Sequence, residues 1–138
     1  CRDISEVAKF AKVSDSNYRF LKAKTPGPFT FLLPASSSLP NRLFHPKRKV
    51  VGIRIPQNNI ALALLTALGE PLMSLTLAVQ NDPYGVADPE EIRQRFESLV
   101  DGIVDGGYCG VESTSVVDLT GEVPKLVRAG LGDLASIM

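Results

Sequence analysis

Arginines and hydroxyls placed at strand ends are the residues of this chain best suited to chemistry. Arg54, Ser74, Thr76, Ser113 and Arg128 are read together as lining a pocket for a phosphate-bearing ligand. Arg54 interrupts the apolar series Val51, Ile53, Ile55. Inside a buried strand its guanidinium needs a carboxylate or phosphate to hold, whereas on an alternating strand it simply faces outward, and the two readings weigh evenly. Ser74 and Thr76 alternate with Met73, Leu75 and Leu77, so both hydroxyls fall on one side of a strand, which spacing alone reads as a solvated or hairpin-facing side. Ser113-Thr114-Ser115 follows Tyr108-Cys109-Gly110 and is either a cluster of ligand hydroxyls or the start of a strand. Arg128, just before Ala129-Gly130, is placed to reach over a pocket mouth; by itself it would be a surface charge.

Other chemistries find little support. The one histidine, His45, and the isolated Cys1 and Cys109 lack the spacing of a zinc site, and a Ser-His-Asp triad would rest on His45 alone. Neither a Walker A sequence nor Gly-x-Gly-x-x-Gly occurs, so a phosphate site has to be built from side chains and turns.

The elements that position these residues follow from local pattern. Residues 5–11 and 15–24 carry apolar side chains at helical spacing, divided by the capping cluster Ser14-Asp15-Ser16. Thr25-Pro26-Gly27-Pro28 ends the second helix, and residues 29–33 read as a buried strand. Residues 35–40 form a Ser-rich turn, and Pro46-Lys47-Arg48-Lys49 is an exposed basic knuckle entering a strand over 50–55. Asn58 or Asn59 caps a helix over 60–68 that Gly69 terminates, and residues 72–77 read as a third strand. A loop at 81–87 leads to a helix from Asp88 to about Val100, entered by Pro89 and acidic residues. Short strands are expected at 101–104 and 113–119, the latter paired with 125–128 through a turn at Gly121-Glu122. Helices and strands alternate early and a hairpin closes the chain. The expected class is therefore α/β (α+β), a mixed parallel and antiparallel sheet covered by helices.

The 138 residues, 44% of them hydrophobic, suit one domain over 1–138. Fifteen basic residues balance fifteen acidic ones, so the field of the whole chain favours neither nucleic acid nor an anionic membrane. The apolar run at 60–68 is too short for a membrane span. Two cysteines, Cys1 at what reads as a mobile end, point to a reducing, cytoplasmic setting. With no Met before Cys1-Arg2-Asp3, the beginning reads as a cut, and the N-terminal portion of the domain is expected to be missing.

Taken in order, Pro26-Gly27-Pro28-Phe29-Thr30-Phe31, Gly52-Ile53-Arg54-Ile55-Pro56, Pro71-Leu72-Met73-Ser74, the stretch from Gly110 through Ser113-Thr114-Ser115 to Asp118, and Leu126-Val127-Arg128-Ala129-Gly130 resemble the YrdC/YciO family of threonylcarbamoyl-adenylate synthases. The resemblance implies a twisted mixed sheet with an electropositive cavity over one face. It also implies a reaction of L-threonine, bicarbonate and ATP to threonylcarbamoyl-AMP and pyrophosphate, which feeds tRNA modification, with Mg²⁺ accompanying the ATP. By block position Arg54 resembles the arginine pairing with the amino acid's carboxylate, and Ser113 the hydroxyl between amino acid and nucleotide. Arg128 resembles the arginine on the phosphates, and Thr30 lies in the block that shapes the pocket floor. Ser74 and Thr76 stand in the nucleotide block. There the family's Ser-Thr-Ser-Ala-Asn reads Ser74-Leu75-Thr76-Leu77-Ala78, so Ala78 offers no amide to the nucleotide and the pattern leans to the YciO branch. The family's Lys-x-Arg motif would lie upstream of Cys1.

The chemistry so implied is attack of a carbamate oxygen on the α-phosphorus, with no side-chain nucleophile. A competing expectation is a double-stranded RNA- or tRNA-binding protein without synthase activity, using Lys47, Arg48 and Lys49. A third is a chain that binds nothing tightly.

Overall fold

Phe29, Phe31 and Leu33 alternate with Thr30, Leu32 and Pro34, and a strand turns such an alternation into two unlike faces. In a computed structural model, which describes residues 1–40, 43, 47, 49–77, 86–133 and 135, this segment is strand β1 (Phe29–Pro34). Phe29, Phe31 and Leu33 are buried and their alternates half-buried. The chain divides into two compact units, one of Cys1–Met73 with Ser113–Met138, the other of Ser74–Glu112.

The first unit opens with α1 (Ile4–Phe10) and α2 (Asp15–Lys24). Each is started by a side chain that satisfies an otherwise orphaned amide: Asp3 accepts from the Glu6 amide at 2.9 Å, and Ser14 from the Asn17 amide at 3.2 Å. After β1 come β2 (Val50–Ile53) and α3 (Asn59–Leu68). Asn58 caps α3 by accepting from the Ala61 amide at 2.9 Å, and Gly69 ends it in the left-handed conformation, φ 75°. In the second unit, Asp88 caps α4 (Pro89–Phe96). The first unit is completed by β3 (Ser115–Asp118) and β4 (Lys125–Arg128).

The sheet runs β2-β1-β3-β4, with β1 antiparallel to β2, parallel to β3, and β3 antiparallel to β4. This is the expected mixed sheet. Its core lies under one face, where Phe31, Leu33, Val51, Ile53 and Val117 pack with Val7 of α1 and Leu21 of α2. Phe31 has no exposed surface, stacks on Phe29 at 5.8 Å between centroids and meets Phe20 edge-on at 6.1 Å. Burial of each such side chain is worth about 1.5–3 kcal/mol. The opposite face, carrying Thr30, Leu32, Gly52 and Val116, remains half-buried or exposed.

Several expected elements are absent or shorter. Residues 72–77 form no strand: a strand is a pairing, no partner hydrogen-bonds to this segment among the described residues, and Leu75 is 87% exposed. Residues 101–104 likewise find no partner, and Val104 is exposed. The last helix stops at Phe96, and residues 97–100 form turns. β2 ends at Ile53, so Arg54 follows the strand instead of lying within it. Cys1 is not a loose end: it packs against the core, and its nitrogen donates to the Arg54 carbonyl at 2.8 Å. His45, Arg48, Ala78 and the loop residues 81–85 lie outside the described residues.

Candidate functional site

Arg54, flanked by the buried Ile53 and Ile55, is itself exposed, and alternation places it on the open face with Gly52. Its backbone is held on both sides: the Cys1 nitrogen donates to the Arg54 carbonyl, and the Gly27 amide to that of Ile55 at 3.1 Å. The β1–β2 register pairs Phe31 with Ile53, so one further step sets Arg54 opposite Thr30. Thr30 is the registered partner of Val116, and Val116 of Arg128. One row across the sheet therefore carries Arg54, Thr30, Val116 and Arg128. Its two guanidinium-bearing ends stand three strand spacings apart, about 14 Å.

At the β4 end, hydroxyls and guanidinium meet. The Oγ1 atoms of Thr30 and Thr114 lie 2.9 Å apart. Arg128 donates from Nε (3.3 Å) and Nη2 (2.9 Å) to the Thr114 carbonyl, with Nη2 also 3.5 Å from Thr114 Oγ1. The fork is thus anchored by one edge, and its remaining N–H groups point elsewhere. Ser113 is exposed just before β3, and its carbonyl accepts from the Leu131 amide at 3.0 Å. The hydroxyl that meets Thr30 and Arg128 is that of its neighbour, Thr114.

The turn after β4 is fixed from beneath. Ser115, fully buried, accepts from the Gly130 amide and donates to the Gly132 carbonyl, both at 3.0 Å. A Cβ at Gly130 would run into the backbone of Ser113 and Thr114, and one at Gly132 into the Phe29 ring. Small residues are therefore required where this turn closes on the sheet.

Of the residues singled out in the sequence, the first unit brings Thr30 and Arg128 together and puts Arg54 in their row. Ser74 and Thr76 belong to the second unit, exposed on a segment without regular structure. Lys47 and Lys49 are exposed, and Lys49 has φ 50°. The sequence offered Thr114 only as one of the three hydroxyls of Ser113-Thr114-Ser115; the parallel register that pairs Thr30 with Val116 singles it out, two positions before Val116 on the same face. Away from this row, the Glu6 amide holds the Asp3 carboxyl below its ordinary value, and the Asp88 charge pushes the Tyr108 phenol up. Among the described residues, no group of three or more His, Cys, Asp or Glu is arranged to hold a metal ion, and no helix is long and apolar enough to cross a membrane.

The comparisons with known proteins agree with this architecture. The chain is 50% identical over 136 residues to an uncharacterized protein of Haemophilus influenzae, and 46% over 134 residues to the uncharacterized protein YciO of Escherichia coli K12. These matches cover 98% and 97% of the chain and 66% and 65% of those relatives, so the chain spans a little under two thirds of their length. A threonylcarbamoyl-AMP synthase of Bacillus subtilis is 32% identical over 117 residues, covering 79% of the chain and 33% of that protein. The crystal structure of E. coli YciO superposes with a TM-score of 0.94 at 44% identity over 100% of this chain and 67% of that one. That of P. abyssi Sua5 complexed with L-threonine gives 0.80 at 26% identity, over 93% of this chain and 38% of the other. The profile of the Sua5/YciO/YrdC family, described as "Telomere recombination", matches residues 1–130. On this match, and on relatives approaching half identity, the chain belongs to the Sua5/YciO/YrdC family.

Proposed function

We propose that this chain forms the amino-acid and nucleotide site of a threonylcarbamoyl-AMP synthase-like enzyme of the YciO branch. The observation that supports it best is the row Arg54, Thr30, Val116, Arg128, whose cationic ends suit a ligand with a carboxylate at one end and phosphates at the other. Relatedness to the B. subtilis synthase and likeness to Sua5 with L-threonine support the same substrate class.

In this reading Arg54 pairs with the threonine carboxylate, and the threonine amine attacks the bicarbonate carbon, a C–O bond breaking and water leaving, to form a carbamate. A carbamate oxygen attacks the α-phosphorus of ATP, the bond to the β-phosphate oxygen breaks, and pyrophosphate leaves threonylcarbamoyl-AMP. Arg128 faces the phosphates; Thr30, Thr114 and Ser113 supply hydroxyls between the two ligands. Ser74 and Thr76 stand in the nucleotide block, without the asparagine that synthases carry at the place of Ala78, which points to altered activity. Mg²⁺ accompanying ATP would neutralise phosphate charge. The protein's part is positioning and electrostatic complement.

The test is pyrophosphate release by the full-length protein. It should require ATP, L-threonine and bicarbonate together, and fall in Arg54→Ala; turnover independent of threonine would refute the reading. A second reading, RNA binding by the basic knuckle, has the exposure of Lys47 and Lys49 in its favour. It requires a steep salt dependence in filter binding that flattens when Lys47, Arg48 and Lys49 become alanine.

A further inference from the structure

Glycine in the middle of a strand costs about 0.5–1 kcal/mol relative to alanine, so Gly52 in β2 calls for a reason. The usual structural reasons do not apply. Its φ lies outside the left-handed region, and the β1–β2 ladder passes through the Gly52–Leu32 pair with no shift of register. Packing does not exclude a side chain either. A Cβ at this position would stand 3.7 Å from Thr30 Cγ2 and 3.8 Å from Leu32 Cδ2, which is ordinary contact, with nothing nearer among the described residues. The remaining reason for glycine in a strand is the close approach of another group. Gly52 is exposed on the open sheet face, two positions before Arg54 and diagonal to Thr30.

We propose that Gly52 is the floor of a size-selective notch, walled by the methyl groups of Thr30 and Leu32, that takes the side-chain methyl of a small β-hydroxy amino acid held through its carboxylate by Arg54. This rests on the threonine reading above and adds to it the element that distinguishes threonine from serine. Those two amino acids differ by one methyl, and a methyl in an apolar recess is worth roughly 10–200-fold in discrimination.

Calorimetric titration of the full-length protein with L-threonine and L-serine tests it. The wild type should prefer L-threonine by about tenfold or more, and Gly52→Ala should weaken L-threonine by about tenfold while moving L-serine much less. Gly52→Ala should keep or raise the thermal midpoint, since alanine suits the strand better. Leu32→Ala, which widens the notch without touching position 52, should shift preference from L-threonine toward L-β-hydroxyvaline, and decides the matter should Gly52→Ala fold poorly. Unchanged L-threonine affinity in Gly52→Ala, equal weakening of both amino acids, or an unaltered preference in Leu32→Ala would overturn the notch and leave the threonine reading intact. A wild-type protein that binds neither amino acid would overturn the threonine reading itself, and the notch with it.

Discussion

The hydroxyls of Thr30 and Thr114, 84 positions apart in the chain, lie 2.9 Å from each other on the open face of the sheet, and the carbonyl of Thr114 holds the Arg128 fork. Thr114 therefore joins a threonine in the first long strand to an arginine in the last. Thr30→Val and Thr114→Val should each destabilise the fold by about 1 kcal/mol, and the double variant by less than the sum, with a coupling of at least about 0.5 kcal/mol. Urea denaturation of the three variants measures this; strict additivity would mean that the two hydroxyls do not bond.

Arg54 has its backbone pinned by Cys1 and its side chain exposed, so its replacement should alter binding and spare the fold. Arg54→Ala is expected to raise the KM for L-threonine about 10- to 100-fold, as for a lost charge-assisted hydrogen bond, with the thermal midpoint nearly unchanged. Arg54→Lys should recover little, because an ammonium cannot grip both carboxylate oxygens as a fork does.

Arg128 should report on the other end of the ligand. Arg128→Ala is expected to raise the KM for ATP more than that for L-threonine, while stability falls by no more than about 1 kcal/mol for so exposed a residue. Steady-state kinetics with each substrate varied in turn separates the two arginines; equal effects of both substitutions on both KM values would dissolve the assignment.

Ser115 is the fold's own requirement at this site. Ser115→Ala leaves the Gly130 amide and the Gly132 carbonyl without their partner and should cost about 1–3 kcal/mol in urea denaturation. Gly132→Ala, whose methyl would meet the Phe29 ring, should be destabilising too. Both changes act on the turn that follows Arg128, so ATP affinity should fall along with stability.

Asp3 supplies a pH dependence. Accepting the Glu6 amide holds its carboxyl below the ordinary value, and a group with a depressed folded pKa stabilises above its unfolded pKa and ceases to as pH falls through the folded one. The contribution should therefore be complete near neutrality and fade below pH ~3.9. Asp3→Asn, which keeps a capping oxygen without the titration, should lose less stability than wild type across that window, whereas Asp3→Ala should be weaker by about 1 kcal/mol at neutral pH.

The sequence by itself determined that these helices form, the helix starts at Ser14, Asn58 and Asp88, the two-faced strand at Phe29, Thr30 and Phe31, the closing hairpin and the family blocks. These rest on short-range physics: side-chain period, amide satisfaction and turn chemistry all act within a few residues. Tertiary structure alone decided which apolar runs become strands. Residues 72–77 have the alternation of a strand but no hydrogen-bonding partner among the described residues, and pairing is not a local property. It also decided which member of Ser113-Thr114-Ser115 faces Thr30 and Arg128, because a one-residue change of register exchanges the faces of a strand, and the register is set by a parallel partner more than eighty residues away.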